Sequence, residues 1–109
     1  MGDDERMNVQ FLYFDGCPHW KPAEARLREA LRVHGGVVEV ERIAVDTPDI
    51  AEFYGFSGSP SVLIDGVDPF AESAAPVALS CRLYRTPEGL AGSPTVEQLV
   101  AALSEASAS

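Results

Sequence analysis

Residues 8–22 read NVQFLYFDGCPHWKP, and the fold turns on how this stretch is parsed. In an extended chain Val9, Phe11 and Tyr13 fall on one side and Leu12 and Phe14 on the other. A strand that is apolar on both sides belongs in the middle of a sheet, covered above and below. Asp15-Gly16 breaks it. Beyond Cys17 the apolar residues Trp20, Ala23, Leu27, Ala30 and Leu31 recur at helical spacing, which predicts a helix over 18–34. Pro18 suits a first turn, where its missing N–H is not needed. Gly35-Gly36 supplies a left-handed stop. Glu24 and Arg28, four apart, pair on the solvent side. Pro22 fits less well, since a helix that starts at Pro18 loses a backbone bond there. A cysteine at such a turn, followed by proline, histidine and tryptophan, is laid out like a redox site. Yet the position three residues on is Trp20, not a second cysteine.

Outward from this stretch, 37–45 (VVEVERIAV) reads as a second strand whose alternation shifts phase, as an edge strand or a bulge would. Thr47-Pro48 opens a short helix with a capping hydroxyl and proline at its first position, ending at Gly55. Residues 61–65 (SVLID) read as a third strand behind Gly58-Ser59-Pro60. Residues 66–80 form a long connection without a pattern, 81–85 (CRLYR) a short fourth strand, and TPEGLAGSP a loop. The last helix runs from Thr95 to about Ala106. Thr95 and Gln98 make a capping box, and Val96, Leu99, Val100 and Leu103 its buried stripe. The first strand-helix-strand unit should be a right-handed parallel crossover. The last two strands, with no covering helix between them, should be antiparallel. An α/β fold follows, with a four-stranded mixed sheet and helices on both faces.

The 109 residues suit one domain, spanning 1–109, with 1–7 and 105–109 expected to fray. Apolar residues make up 46% and charged residues 23%, enough for a core without metal or multiple disulfides. The net charge of −9 argues against nucleic acid and anionic membranes as partners. The start MGDDERMN lacks the basic and apolar regions of a secretory signal, and no apolar run approaches a membrane span. Two cysteines do not make a disulfide scaffold, so a reducing, cytoplasmic setting is expected. Oligomeric state is not legible.

Taken together, FDGCPHW at the strand-to-helix turn, Gly58-Ser59-Pro60 before a strand, and EGLAGSPTVEQLVAAL at the end resemble the thioredoxin-like superfamily. The resemblance covers Val9 to Leu103. It implies sheet order 2-1-3-4 flanked by three helices, and a cis-proline at Pro60 facing the thiol. It also implies that the backbone there pairs with an extended peptide or glutathione. The family's Cys-x-x-Cys is here Cys17-Pro18-His19-Trp20, and the 66–80 insertion is a second departure. More narrowly, YFDGCPHW…CRLYRTPEG is similar to a group of small bacterial thioredoxin-like proteins, some bearing an organomercurial-lyase name.

Cys17 is the expected nucleophile. The positive end of a helix should favour its thiolate, and His19 could act as base or charge partner, while Asp15 opposes the second negative charge. Trp20, Ser59 and Pro60 would line the substrate site. Beside these stand plainer readings: Cys17 as turn filler, His19 as a solvent-facing residue, and Trp20 as the anchor of helix to sheet. In the resembled topology Cys81 sits on an edge strand, its beginning away from Cys17, and is expected to be a buried strand residue. A disulfide needs Cα atoms within about 7 Å. A metal site from Cys17, His19, Cys81 and a carboxylate is conceivable but not the expected reading, since Cys-x-His matches no paired zinc pattern, and no resident cofactor is expected. The reading that results is a thiol-dependent oxidoreductase, a monothiol resolved by an external low-molecular-weight thiol and acting on protein or small-molecule disulfides. The alternatives are a non-catalytic thioredoxin-like binding module, and soft-metal or organomercurial chemistry using Cys17 and Cys81 together.

Overall fold

A computed structural model describes residues 7–36, 38–71, 77 and 79–108. The 1–6 segment and 72–76 and 78 of the long connection lie outside the described residues.

The strand at the centre of the sheet is β1, Met7–Tyr13. Along one edge β2 (Val38–Ala44) runs parallel to it, with Val9 opposite Val40. Along the other β3 (Ser61–Ile64) runs antiparallel, with Val9 opposite Ile64. The parallel pair requires a crossover, and α1 (Trp20–His34) supplies it. Period-two alternation in β1 then builds two cores. Met7, Val9 and Phe11 pack with Ala23, Leu27 and Ala30 of α1 and with Leu99 and Leu103 of α3 (Val96–Ala108). Leu12 faces the opposite way. It packs with Val45, Phe56 and Leu63 and with Ala51 of α2 (Pro48–Tyr54). The sheet thus lies between α1 and α3 on one face and α2 on the other. β2 is an edge strand in continuous register, so the phase shift in its sequence reflects the edge and not a bulge.

Helix starts follow local chemistry, with one correction. The helix α1 begins at Trp20, not Pro18, with His19 as its N-cap residue. Its first backbone bond runs from the Ala23 N–H to the His19 carbonyl at 3.3 Å. Pro22 therefore occupies one of the positions whose N–H has no intrahelical partner, and its missing N–H costs nothing. At α2 the Thr47 Oγ1 accepts from the Ile50 N–H at 3.2 Å. At α3 the capping box is reciprocal: Gln98 N–H to Thr95 Oγ1 at 3.0 Å and Thr95 N–H to Gln98 Oε1 at 2.9 Å. The helix α3 continues to Ala108. No helix among the described residues is long and apolar enough to cross a membrane.

The fourth strand is where sequence and structure part. CRLYR does not extend the sheet to an order 2-1-3-4; the sheet is β2-β1-β3, with a separate hairpin. That hairpin pairs β4 (Tyr84–Thr86) with β5 (Gly89–Ala91). Its turn is Pro87-Glu88, tightened by the Thr86 hydroxyl donating to the Gly89 carbonyl at 2.6 Å. The stretch expected to be a loop therefore holds a strand. Nor does residue 81 run antiparallel to its neighbour, for Cys81 forms an isolated parallel bridge with Ser59. Side chains hold this segment more than backbone ladders do. Arg82 and Tyr84 point inward, while Cys81, Leu83 and Arg85 are exposed. The Arg82 guanidinium reaches Asp68 at 2.7 Å, the Phe70 carbonyl at 2.7 Å and the Ser61 hydroxyl at 3.1 Å. Beneath it the Tyr84 hydroxyl donates to the Pro60 carbonyl.

Candidate functional site

The chain leaves β1, turns through Asp15-Gly16, and buries Cys17 almost completely, at 1% exposure. Turn geometry fixes this, because the Cys17 N–H donates to the Phe14 carbonyl at 2.9 Å. Cys17 lies ahead of the N-cap residue, so it is not itself in the first turn of α1. Its sulfur lies 3.6 Å from the Ser59 carbonyl oxygen.

Ser59 and Pro60 lie directly opposite, both fully buried. The Ser59-Pro60 peptide bond is cis, as the sequence suggested. The Ser59 hydroxyl accepts the Phe14 N–H at 2.9 Å, clamping the end of β1 to the loop before β3. Both backbone groups of Ser59 are taken by the chain's own 80–82 segment. Its N–H donates to the Ser80 carbonyl at 2.7 Å, and its carbonyl accepts the Arg82 N–H at 2.9 Å. The Gly58 position makes room for this segment. Its φ is +129°, and a Cβ there would lie 2.7 Å from the Cβ of Arg82.

This bridge brings Cys81 onto Cys17. The Cα atoms are 5.7 Å apart and the two residues are joined as a disulfide across a separation of 64 positions. Cys81 was expected to be buried and remote; it is exposed and bonded. The reason is the docking of Arg82 and Tyr84, which seats the start of this segment beside the loop before β3 instead of on a sheet edge. The pair thus joins a buried residue to an exposed one. A monothiol site does not describe this geometry.

His19 is half-buried near both sulfurs. One ligand atom from each of Cys17, His19 and Cys81 can be chosen so that all lie within 4.8 Å of one another. Among the described residues the imidazole makes no capping bond to α1, and its Nδ1 is buried without a hydrogen-bond partner. Gly92 packs against it so closely that a side chain at 92 would overlap the ring. Trp20 stacks on Tyr13 of β1 with centroids 4.5 Å apart, and Arg42 and Lys21 lie over its ring at 5.7 and 5.5 Å. It anchors helix to sheet, the plainer of its two readings. Asp15 is exposed at the turn.

Cys17, His19, Ser59 and Pro60, read from the sequence as site residues, lie together at one end of the sheet; Cys81 was expected to be a buried strand residue, its use with Cys17 standing only as an alternative, and Arg82 and Gly92 were not singled out. One signal was available. CRLYR alternates, and its inward residues are an arginine and a tyrosine, so it had to bring polar partners with it. No protein-family model matches the chain, and no curated protein is significantly similar to it.

Proposed function

We propose that this chain is a thioredoxin-like thiol–disulfide exchange protein whose working pair is Cys17 and Cys81. The observation that carries the reading is the asymmetry of the pair, an exposed Cys81 joined to a buried Cys17. The β-α-β-α-β start, the β2-β1-β3 mixed sheet and the cis Ser59-Pro60 bond beside Cys17 support the thioredoxin-like part.

The geometry favours a defined order of events. An external thiolate attacks the sulfur of the exposed Cys81, forming a mixed disulfide and releasing the Cys17 sulfur, which takes a proton from water. A second external thiolate then attacks the external sulfur of that mixed disulfide. It leaves as an external disulfide and frees Cys81. In the oxidising direction the Cys81 thiolate attacks an external disulfide and expels one thiolate. Cys17 then gives up its proton, attacks Cys81 and expels the second. The buried thiol therefore resolves the exchange internally, in place of the external resolving thiol expected of a monothiol. A low-molecular-weight thiol becomes a co-substrate. In a cytoplasmic setting such a pair cycles instead of standing as a permanent crosslink. The binding-module alternative is less favoured, because both backbone groups of Ser59 are already occupied.

Equilibration with glutathione buffers, followed by alkylation and mass spectrometry, tests this. The expected result is reversible oxidation with a midpoint above about −300 mV, the range of labile rather than structural disulfides. Cys17→Ser should trap glutathione on Cys81, while Cys81→Ser should leave Cys17 largely unmodified. A midpoint below that value, or preferential modification of Cys17, would sink the proposal.

A further inference from the structure

We infer that the reduced chain carries a zinc site made by Cys17, His19 and Cys81. The inference rests on the same two sulfurs as the exchange reading, but not on exchange with any partner.

Three observations converge. The ligand atoms of these residues lie within 4.8 Å of one another, although they come from the β1–α1 turn and from a segment more than 60 positions on. Among the described residues the imidazole has no capping bond and its Nδ1 is buried and unpartnered. Leaving such an atom unmatched carries its full desolvation penalty, so something normally satisfies it. The ring also lies directly against Gly92, where any side chain would overlap it.

Two thiolates and one imidazole form a donor set suited to a closed-shell, thiophilic cation, and Zn²⁺ takes it with a fourth position left open. Zinc–sulfur bonds of about 2.3 Å at a tetrahedral centre place the sulfurs about 3.7 Å apart. A Cα separation of 5.7 Å is compatible with that spacing once the S–S bond is broken. Cys17 is buried and Cys81 exposed, so the open position faces solvent on the Cys81 side. The net charge of −9 favours a cation.

Binding balances as Zn²⁺ plus two thiols giving a zinc dithiolate and two protons. Oxidation by a small-molecule disulfide reverses it. The zinc dithiolate, one external disulfide and two protons give the Cys17–Cys81 disulfide, two external thiols and free Zn²⁺. The two cysteines lose two electrons and the external disulfide gains them. The site thus exists only in the reduced chain, and zinc competes with oxidation.

The test titrates Zn²⁺ into the reduced full-length chain against a colorimetric chelator, with Co²⁺ as a spectroscopic substitute. One Zn²⁺ per chain is expected, with thiolate-to-cobalt charge-transfer absorption that Cys81→Ser removes. Loss of even an outer partner of a ligand costs about 10–100-fold in affinity, so His19→Ala should weaken binding by at least about tenfold. Neither residue fills the core, and near-ultraviolet circular dichroism from Trp20 and Tyr13 checks that both variants fold. Oxidised glutathione should release the metal one for one with disulfide formed. Failure of the reduced chain to hold Zn²⁺ against the chelator, or unchanged binding in His19→Ala, overturns the site. The glutathione midpoint, measured with metal chelated away, is independent of both, so exchange can stand where the zinc site falls.

Discussion

Tyr84 carries its phenol into the interior and donates it to the Pro60 carbonyl, so a buried hydroxyl helps lock the loop beside Cys17. Burial pushes its pKa well above the ordinary tyrosine value; the Arg82 charge, working the other way, is too weak to reverse this. The folded chain therefore favours the neutral phenol, while the unfolded chain ionises near pH 10. The stabilisation this implies is complete below about pH 10 and is lost as pH rises beyond it. Tyr84→Phe should cost about 1 kcal/mol near neutrality, the worth of the lost hydrogen bond. That gap should shrink by up to about 1.4 kcal/mol per pH unit above pH 10, and can reverse sign there. Urea midpoints for both chains from about pH 8 to pH 11.5 measure it. A gap that does not change with pH means the phenol ionises as freely in the fold as out of it.

At the scale of elements, the question is what seats the 80–82 segment against the loop before β3. Gly58 is one answer, and it can be separated from ordinary glycine effects. Gly55 and Gly58 both have positive φ, +64° and +129°, but nothing lies within 4 Å of a Cβ at 55, whereas a Cβ at 58 would strike Arg82. Gly55→Ala should therefore cost only the left-handed penalty, about 1–2 kcal/mol. Gly58→Ala should add displacement of Arg82 from Asp68 and Ser61 to its backbone strain, for a total of about 2–4 kcal/mol. It should also slow closure of the Cys17–Cys81 bond, measured as the rate of thiol loss under a fixed glutathione buffer. Equal costs and equal closure rates for the two variants would mean that contact with the 82 segment is not what the glycine serves. The elements themselves were largely legible. Thr47 and Thr95 cap their helices as read, because a cap needs only residues three apart. The start of α1 was misplaced by two residues, because Pro18 and Pro22 each suit a first turn and the sequence alone does not choose between them.

For the molecule as a whole, the Cys17–Cys81 link ties the turn after β1 to the segment that leads into the hairpin, 64 positions later. In the chain-entropy account, closing a loop of that length restrains the unfolded state by about 4 kcal/mol. Reduction should lower stability by that order, read as a fall in the urea midpoint with and without reductant. Cys17→Ser/Cys81→Ser should match the reduced chain. A drop of less than about 1 kcal/mol would indicate that the unfolded chain is already confined, or that the bond strains the native state by as much as it gains. Binding of Zn²⁺ to the reduced pair would restore part of the lost stability by mass action.

By itself the sequence determined what depends on neighbours along the chain. Period-two alternation made β1 a central strand with two apolar faces. Helical spacing chose the buried sides of α1 and α3, and the order of elements through β3 followed. Cys17 at the turn and Pro60 before β3 were legible for the same reason. Only the tertiary structure decided the partner of Cys17. That choice depends on where the 66–80 connection delivers residue 81, and no periodicity encodes the path of a connection. It also depends on an arginine and a tyrosine turning inward, which is favourable only once Asp68, the Phe70 carbonyl and the Pro60 carbonyl are there to meet them. A buried polar group is stabilised by its partners, and partners distant in sequence exist only in the folded chain.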